Sequence, residues 1–371
     1  MHIPDGYLSP QTEVVFGAVM VPVWFKASRA IRKVVKTRYV PLVAIGAAFC
    51  FLVMMFNVPI PDGTTAHAVG GVLIAVLLGP WAAVVAVSVA LAVQALFFGD
   101  GGVLAFGANA FNMAFVLPVV GYAVYRLVAR RLSLTSPRRA LVAGLAGYVG
   151  LNAAALCAAV EFGLQPVLFH SANGTPLYAP FHLSQTIPAM ALAHLTVAGF
   201  VEFVVTAGVV AYLQRANLPL LRINHRDGTV EPGKARPRAG VRWRWALIGL
   251  GVMVALTPLG LLAPGGAFGE SSPGKLALGK YGLKAVPVGL ARWNGFWRHA
   301  VLGGYGFASG NHPLVGYLIS AVVGIAVISL AVLAIIGIIR LADRGKVRGR
   351  AREEALGKVK DAPDEVGTLT A

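Results

Sequence analysis

The sequence predicts an all-α integral membrane protein, a polytopic bundle of about nine transmembrane helices with its N-terminus outside. Three observations carry that prediction. Of the 371 residues, 57% are hydrophobic and only 13% charged, with a mean hydropathy of +0.72. The apolar residues fall in runs of about 20, the length that crosses a bilayer as a helix. The basic residues collect in alternate gaps between the runs, which is how cytoplasmic loops are marked.

Taken in order, the runs cover 12–33, 38–58, 63–79, 80–98, 103–130, 137–164, 181–213, 243–263 and 314–340. Gly79-Pro80 alone divides the third from the fourth, so a tight turn is expected there. The 44 glycines suit helices that pack closely in lipid. With the N-terminus outside, segments 26–38, 126–139, 214–244 and 340–371 are cytoplasmic and hold 27 of the 32 Lys and Arg residues. The outer segments 1–11, 59–62, 99–102 and 165–180 hold none, and the remaining five lie in the long outer segment 264–313. The opposite orientation violates the rule at every short loop. The chain divides into a seven-helix domain (1–213), a basic, Pro/Gly-bearing linker (214–242), a two-span unit (243–340) with outer loop 264–313, and a charged cytoplasmic tail (341–371).

Several functions are set aside. The net charge of +17 is spread over the cytoplasmic blocks, not drawn into a stripe with interleaved aromatics, so no nucleic acid partner is expected. The charged tail after Arg340 fits anionic lipid or a protein partner. Cys50 and Cys157 lie in apolar runs without a CxxC or zinc pattern. The stretch "GESSPGKL" (269–276) mimics a phosphate-binding loop, but Leu276 stands where Ser or Thr must reach Mg²⁺. No ATP site, catalytic residue or bound cofactor is expected. Nor is a secretory signal, because the first basic residue is Lys26.

The chemistry points to the opening "MHIPDGYLSP". A free α-amine, the next peptide nitrogen and an imidazole at residue 2 form fused chelate rings and put three nitrogens in one plane. A fourth nitrogen closes a square, which suits Ni(II) or Cu(II) and accommodates Co(II). The peptide nitrogen must lose its proton, so binding weakens in acid. The plainer alternative is an ordinary terminal histidine. His67, near the outer end of the third run, is the candidate fourth donor, since an ionisable residue inside a span is a functional candidate. The glycines after it, Gly70 and Gly71, let another backbone approach. The alternative for His67 is an interfacial, hydrogen-bonded histidine.

"MHIPDGYLSP", "TTAHAVGGVLIAVLLGPWAA", "QALFFGDGGVLAFGANAFNM" and "HLTVAGFVEFVVTA" together resemble the cobalt/nickel permease family of CbiM/NikM type, over about residues 1–213. These are substrate-capturing S components of energy-coupling factor ABC transporters. The resemblance implies a bacterial or archaeal multi-pass protein of the cell membrane. It implies a metal held by Met1, His2 and His67, and transport of Ni²⁺ or Co²⁺. It also implies two partners, a transmembrane coupling component and a pair of cytoplasmic ATPases. The two-span unit looks like the small accessory component of such systems, fused in one chain, which in the family is thought to assist metal loading.

Four more residues are candidates for an outer shell or for coupling. Asp5 is read as an acceptor for a ligand N–H or as a turn residue, Asn109 as an interhelical hydrogen-bonding group beside "GDGG", and His194 and Glu202 as members of the seventh span. The last two share a face but sit about 12 Å apart along the axis, too far to hold one ion. Two rival functions remain: a metal channel or carrier that needs no ATPase, and an intramembrane enzyme using His194 and Glu202 as acid and base.

Overall fold

The computed structural model describes residues 1–35, 40–56, 58–60, 64–225, 243–262 and 273–360. The first part of the phosphate-loop mimic, most of the linker and the end of the tail lie outside the described residues. The fold is all-α. Its helices are α1 (Pro10–Val35), α2 (Val40–Met54), α3 (Gly71–Leu78), α4 (Pro80–Phe98), α5 (Phe106–Ala129), α6 (Pro137–Leu168), α7 (Leu183–Ala216), α8 (Trp243–Leu256), α9 (Val288–Trp293) and α10 (Pro313–Lys360). Six of them are long and apolar enough to cross a membrane: α1, α4, α5, α6, α7 and the first part of α10. α2 and α8 are shorter apolar helices, the latter continuing as a 3₁₀ turn to Leu262.

Large apolar side chains face outward all round. Val14 (70% exposed), Leu127 (67%), Phe200 (62%) and Leu330 (67%) show that the outer surface is built for lipid rather than water. The helices meet through small residues. A methyl group on Gly107 of α5 would lie 2.6 Å from the main-chain nitrogen of Gly17 in α1, and one on Gly150 of α6 would lie 2.5 Å from the Leu117 carbonyl oxygen in α5.

The third run is the main departure from expectation. Residues 63–79 do not form one helix. β1 (Val58–Ile60) pairs antiparallel with β2 (Thr64–Ala66), residues 67–70 are irregular, and α3 begins only at Gly71. With eight residues α3 spans only about 12 Å. Irregular backbone is tolerated at membrane depth where protein buries it, and here Ala66, His67, Ala68 and Val69 are all buried. The ninth run also differs, since α10 continues past 340 to Lys360.

Three helices contain a π-helical turn: Gln94–Phe98 in α4, Ala110–Val116 in α5 and His194–Ala198 in α7. Such turns often mark functional sites. Residues after 243 lean on α2 and its end, where Gly324 of α10 meets the Phe51 ring and Gly260 meets the carbonyl of Met55, the residue after α2.

Candidate metal centre

The N-terminal segment is built into the bundle. Met1 and His2 are 4% and 3% exposed, and Ile3, Tyr7 and Leu8 are fully buried. Such burial of a terminus demands partners for its polar backbone, and the neighbouring helices supply them. The Ile3 N–H donates to Asn109 Oδ1 at 2.8 Å, and Asn109 Nδ2 donates back to the Ile3 carbonyl at 2.9 Å. Gly102 N–H donates to the same carbonyl at 2.8 Å. Further along, the Ser9 N–H donates to Gln165 Oε1 at 2.9 Å, and Ala179 N–H to the Tyr7 carbonyl at 3.0 Å. Gly6, with φ 87°, makes the turn the Pro4-Asp5-Gly6 sequence implies.

This anchoring brings the terminus to His67. The Met1 amino nitrogen lies 3.4 Å from His67 Nε2, across 66 residues of chain. The His2 and His67 rings stack with centroids 4.9 Å apart and planes at 28°. Metal–nitrogen bonds are about 2.0–2.1 Å, so two donors of one ion stand no more than about 4 Å apart. The amine and His67 Nε2 are within that reach. His67 Nδ1 donates to the Ala68 carbonyl at 3.1 Å, which leaves the Nε2 lone pair facing the terminus. A neutral imidazole is the form that ligates a metal.

The His67 segment is itself held from α7. Glu202, fully buried, accepts the Val69 N–H at 2.8 Å and the Gly70 N–H at 2.9 Å. Gly70 is left-handed (φ 75°) and packs on the Phe49 ring, so a side chain is excluded there. His194, at the start of its π turn, donates from Nδ1 to the Met190 carbonyl at 2.8 Å in the preceding turn. In this arrangement Glu202 is an anchor of the His67 loop, with both oxygens engaged by main-chain amides.

Asp5, read as an acceptor for a ligand N–H or as a turn residue, faces main-chain amides of the 100–105 segment. Its Oδ1 accepts the Leu104 N–H at 2.8 Å and the Ala105 N–H at 3.3 Å. Burial raises its pKa while those amides oppose the rise. The carboxylate that faces His2 is Asp100, whose Oδ1 is 3.3 Å from His2 Nδ1. On the other side of the ring, His2 Nε2 meets Gln94 Oε1 at 3.3 Å. Gln94 Nε2 donates to Asp100 Oδ2 at 3.3 Å and to the Tyr305 hydroxyl at 2.9 Å, and Tyr305 donates to Asp100 Oδ2. Sequence reasoning did not reach Asp100 and Tyr305. Asp100, the one charge in "FFGDGG", was a usable signal. Tyr305 had none.

Among the described residues no three His, Cys, Asp or Glu side chains form a metal-holding group. Any nitrogen-rich site at the terminus must therefore draw on main-chain nitrogens. His170, His182 and His299 are spent locally: the first bonds to the Ser171 carbonyl, the second caps α7, the third lies against Trp297. Asn112 donates to Glu161 at 2.9 Å between α5 and α6. A cavity of about 1170 Å³ between α2, α3, α7 and α8 extends from His67 to Arg215. Phe49, Leu73, Val201, Val205 and Leu220 line it. Such walls give a dication no compensating ligands.

The comparisons agree with this architecture. Residues 2–220 match the CbiM family model, described as the cobalt uptake substrate-specific transmembrane region. The chain is 51% identical to the fused nickel transport protein NikMN of Rhodobacter capsulatus, over 93% of this chain and 99% of that protein. It is 45% identical to the probable fused nickel transport protein LarMN of Lactiplantibacillus plantarum, over 90% and 96%. A solved structure described as a truncated transition metal transporter is 59% identical, covers 57% of this chain and 98% of its own, and superposes with a TM-score of 0.54. The chain is thus a multi-pass membrane protein of bacterial or archaeal type, with the extent of the fused NikMN proteins, and it belongs to the CbiM family.

Proposed function

We propose that the chain is the substrate-specific component of an ATP-driven importer of Ni²⁺ or Co²⁺. It captures the ion at the extracytoplasmic face with four nitrogens: the Met1 amine, the His2 amide nitrogen, His2 Nδ1 and His67 Nε2. The observation that carries the reading is the 3.4 Å approach of the Met1 nitrogen to His67 Nε2 beside the stacked His2 ring. Four nitrogens in a square favour nickel and accommodate cobalt. The fused relatives described as nickel transport proteins support nickel as the cargo.

Capture stabilises the ion by replacing its water shell with donors fixed in advance, so little ordering remains to be done on binding. The His67 loop tied to Glu202 and the Asn109–Ile3 pair supply that order. Because the cavity beside His67 is apolar, release inward requires the bundle to move relative to the membrane. The energy for that movement comes from a transmembrane coupling component and a pair of cytoplasmic ATPases. In this reading residues 1–213 capture the ion, 214–242 are cytoplasmic, and 243–340 are an accessory unit.

The test is titration of the purified chain with Ni²⁺ and Co²⁺. Inserting one residue between Met1 and His2 keeps every side chain but breaks the chelate geometry, and His67→Ala removes the fourth donor. Both changes abolish tight binding if the reading is right. Parent-like binding by both variants refutes it.

A further inference from the structure

The outer segment of the two-span unit reaches the terminus from two sides. At the first, the α9 backbone packs on Gly6, where a methyl group would lie 2.8 Å from the Asn294 nitrogen and 2.9 Å from the Leu290 carbonyl. At the second, the segment closes over the π-helical end of α4. There Trp297 Nε1 donates to the Leu96 carbonyl at 2.8 Å, and the Leu302 N–H to the Phe97 carbonyl at 3.0 Å. Three residues on stands Tyr305, 4% exposed, its ring stacked on Phe98 at 5.1 Å and near Phe51 and Tyr317. Its backbone is left-handed (φ 61°), a strained state for a non-glycine residue that persists only where the surroundings impose it.

We propose that Tyr305 is a positioning residue of the metal site, acting on His2 through Gln94. The inference rests on the capture reading above. A residue-2 histidine that chelates through Nδ1 exchanges the Asp100 contact at that nitrogen for the metal and carries its remaining hydrogen on Nε2, for which Gln94 Oε1 is the acceptor. The orientation of that amide is set on its other side, where Gln94 Nε2 donates to the Tyr305 hydroxyl and to Asp100. Tyr305 in turn donates to Asp100, so the phenol has one defined acceptor and one defined donor. The chain of contacts fixes the tautomer and tilt of the His2 ring, which is what the outer partners of a metal-bound histidine do. The accessory unit thereby completes the site itself.

The test uses the full-length chain in detergent, titrated with Ni²⁺ alone. Tyr305→Phe removes only the hydroxyl and keeps the ring packing. It weakens nickel binding by about 10–100-fold, the usual loss for an outer partner, as does Gln94→Ala. The double variant binds no more weakly than Gln94→Ala alone, because both changes cut one chain of contacts. At saturating nickel the visible absorption of Tyr305→Phe matches the parent, since the ligand set is unchanged. Parent-like affinity in Tyr305→Phe, multiplying losses in the double variant, or an altered spectrum each overturns the proposal. The Met1–His2 insertion is the control. If it leaves binding intact the capture reading fails; if it abolishes binding while Tyr305→Phe changes nothing, only the role of Tyr305 fails.

Discussion

Two irregular stretches meet around the N-terminus, and they are held in opposite ways. Residues 1–9 have almost no exposed surface and find hydrogen-bond partners on α5, α6 and the loops after α4 and α6. Residues 288–306 are exposed or half-buried except at two points, Leu290 and Tyr305, where they enter the protein. The first stretch behaves as core that happens to lack helix. The second behaves as a clamp with two teeth. Nickel binding should therefore fall steeply for small changes that shift the first stretch, and shallowly for changes in the second unless they touch the Tyr305 contact.

The strongest way to break the comparison is Gly102→Ala. The added methyl would lie 2.2 Å from Asp5 Oδ1 and 2.5 Å from the Asp5 nitrogen, so the terminal turn must move. Nickel affinity then falls by more than the roughly 10–100-fold typical of losing an outer partner, although residue 102 is not itself a donor. Next comes Glu202→Ala, which leaves the Val69 and Gly70 amides unpaired in the interior at about 1–3 kcal/mol each. Both the melting temperature and nickel affinity drop.

Asn109→Ala removes two hydrogen bonds to Ile3 and lowers affinity by about tenfold, the equivalent of 1.4 kcal/mol. Leu290→Ala sits at the other end of the scale. It lowers thermal stability through a lost buried side chain but reduces nickel affinity less than Asn109→Ala, because no donor is held through Leu290. A Leu290 effect larger than that of Asn109 would show that the clamp, not the helices, fixes the terminus.

Acid sharpens the same contrast. His67 Nδ1 is committed as a donor to the Ala68 carbonyl, so Nε2 is the nitrogen for which protons compete with the metal. Nickel affinity falls on acidification because protons compete with the metal for the amine, the His2 amide and both imidazoles. Titrations of nickel binding between neutral and mildly acidic pH should give the same pH dependence in variants that perturb only the outer segment.

How much of this the sequence showed depends on range. The long spans were legible because a run of about 20 apolar residues has one economical use in a bilayer. The third was misread because hydropathy reports burial and not backbone shape. "TTAHAVGG" is apolar enough for lipid, but it lies as a strand and an irregular turn inside the protein. Met1, His2 and His67 stood out because their chemistry is local: a chelating terminus and a charge-capable ring in an apolar run. Glu202 stands out as an outer-shell or coupling candidate, but its use, holding two amides 132 and 133 residues away in sequence, does not. The Gln94–Asp100–Tyr305 group joins residues 205 and 211 positions apart. No periodicity or motif encodes such a contact; only the folding of the outer segment onto the end of α4 does. The three π turns were equally silent, since the extra residue in a helical turn leaves no mark on composition.

The most direct measurement is X-ray absorption at the nickel edge on the metal-loaded chain, with His67→Ala alongside. The account predicts four nitrogen donors in a planar arrangement, two of them imidazoles, and one imidazole fewer in the variant. A six-coordinate, oxygen-rich shell in the parent, or an unchanged spectrum in His67→Ala, would contradict it.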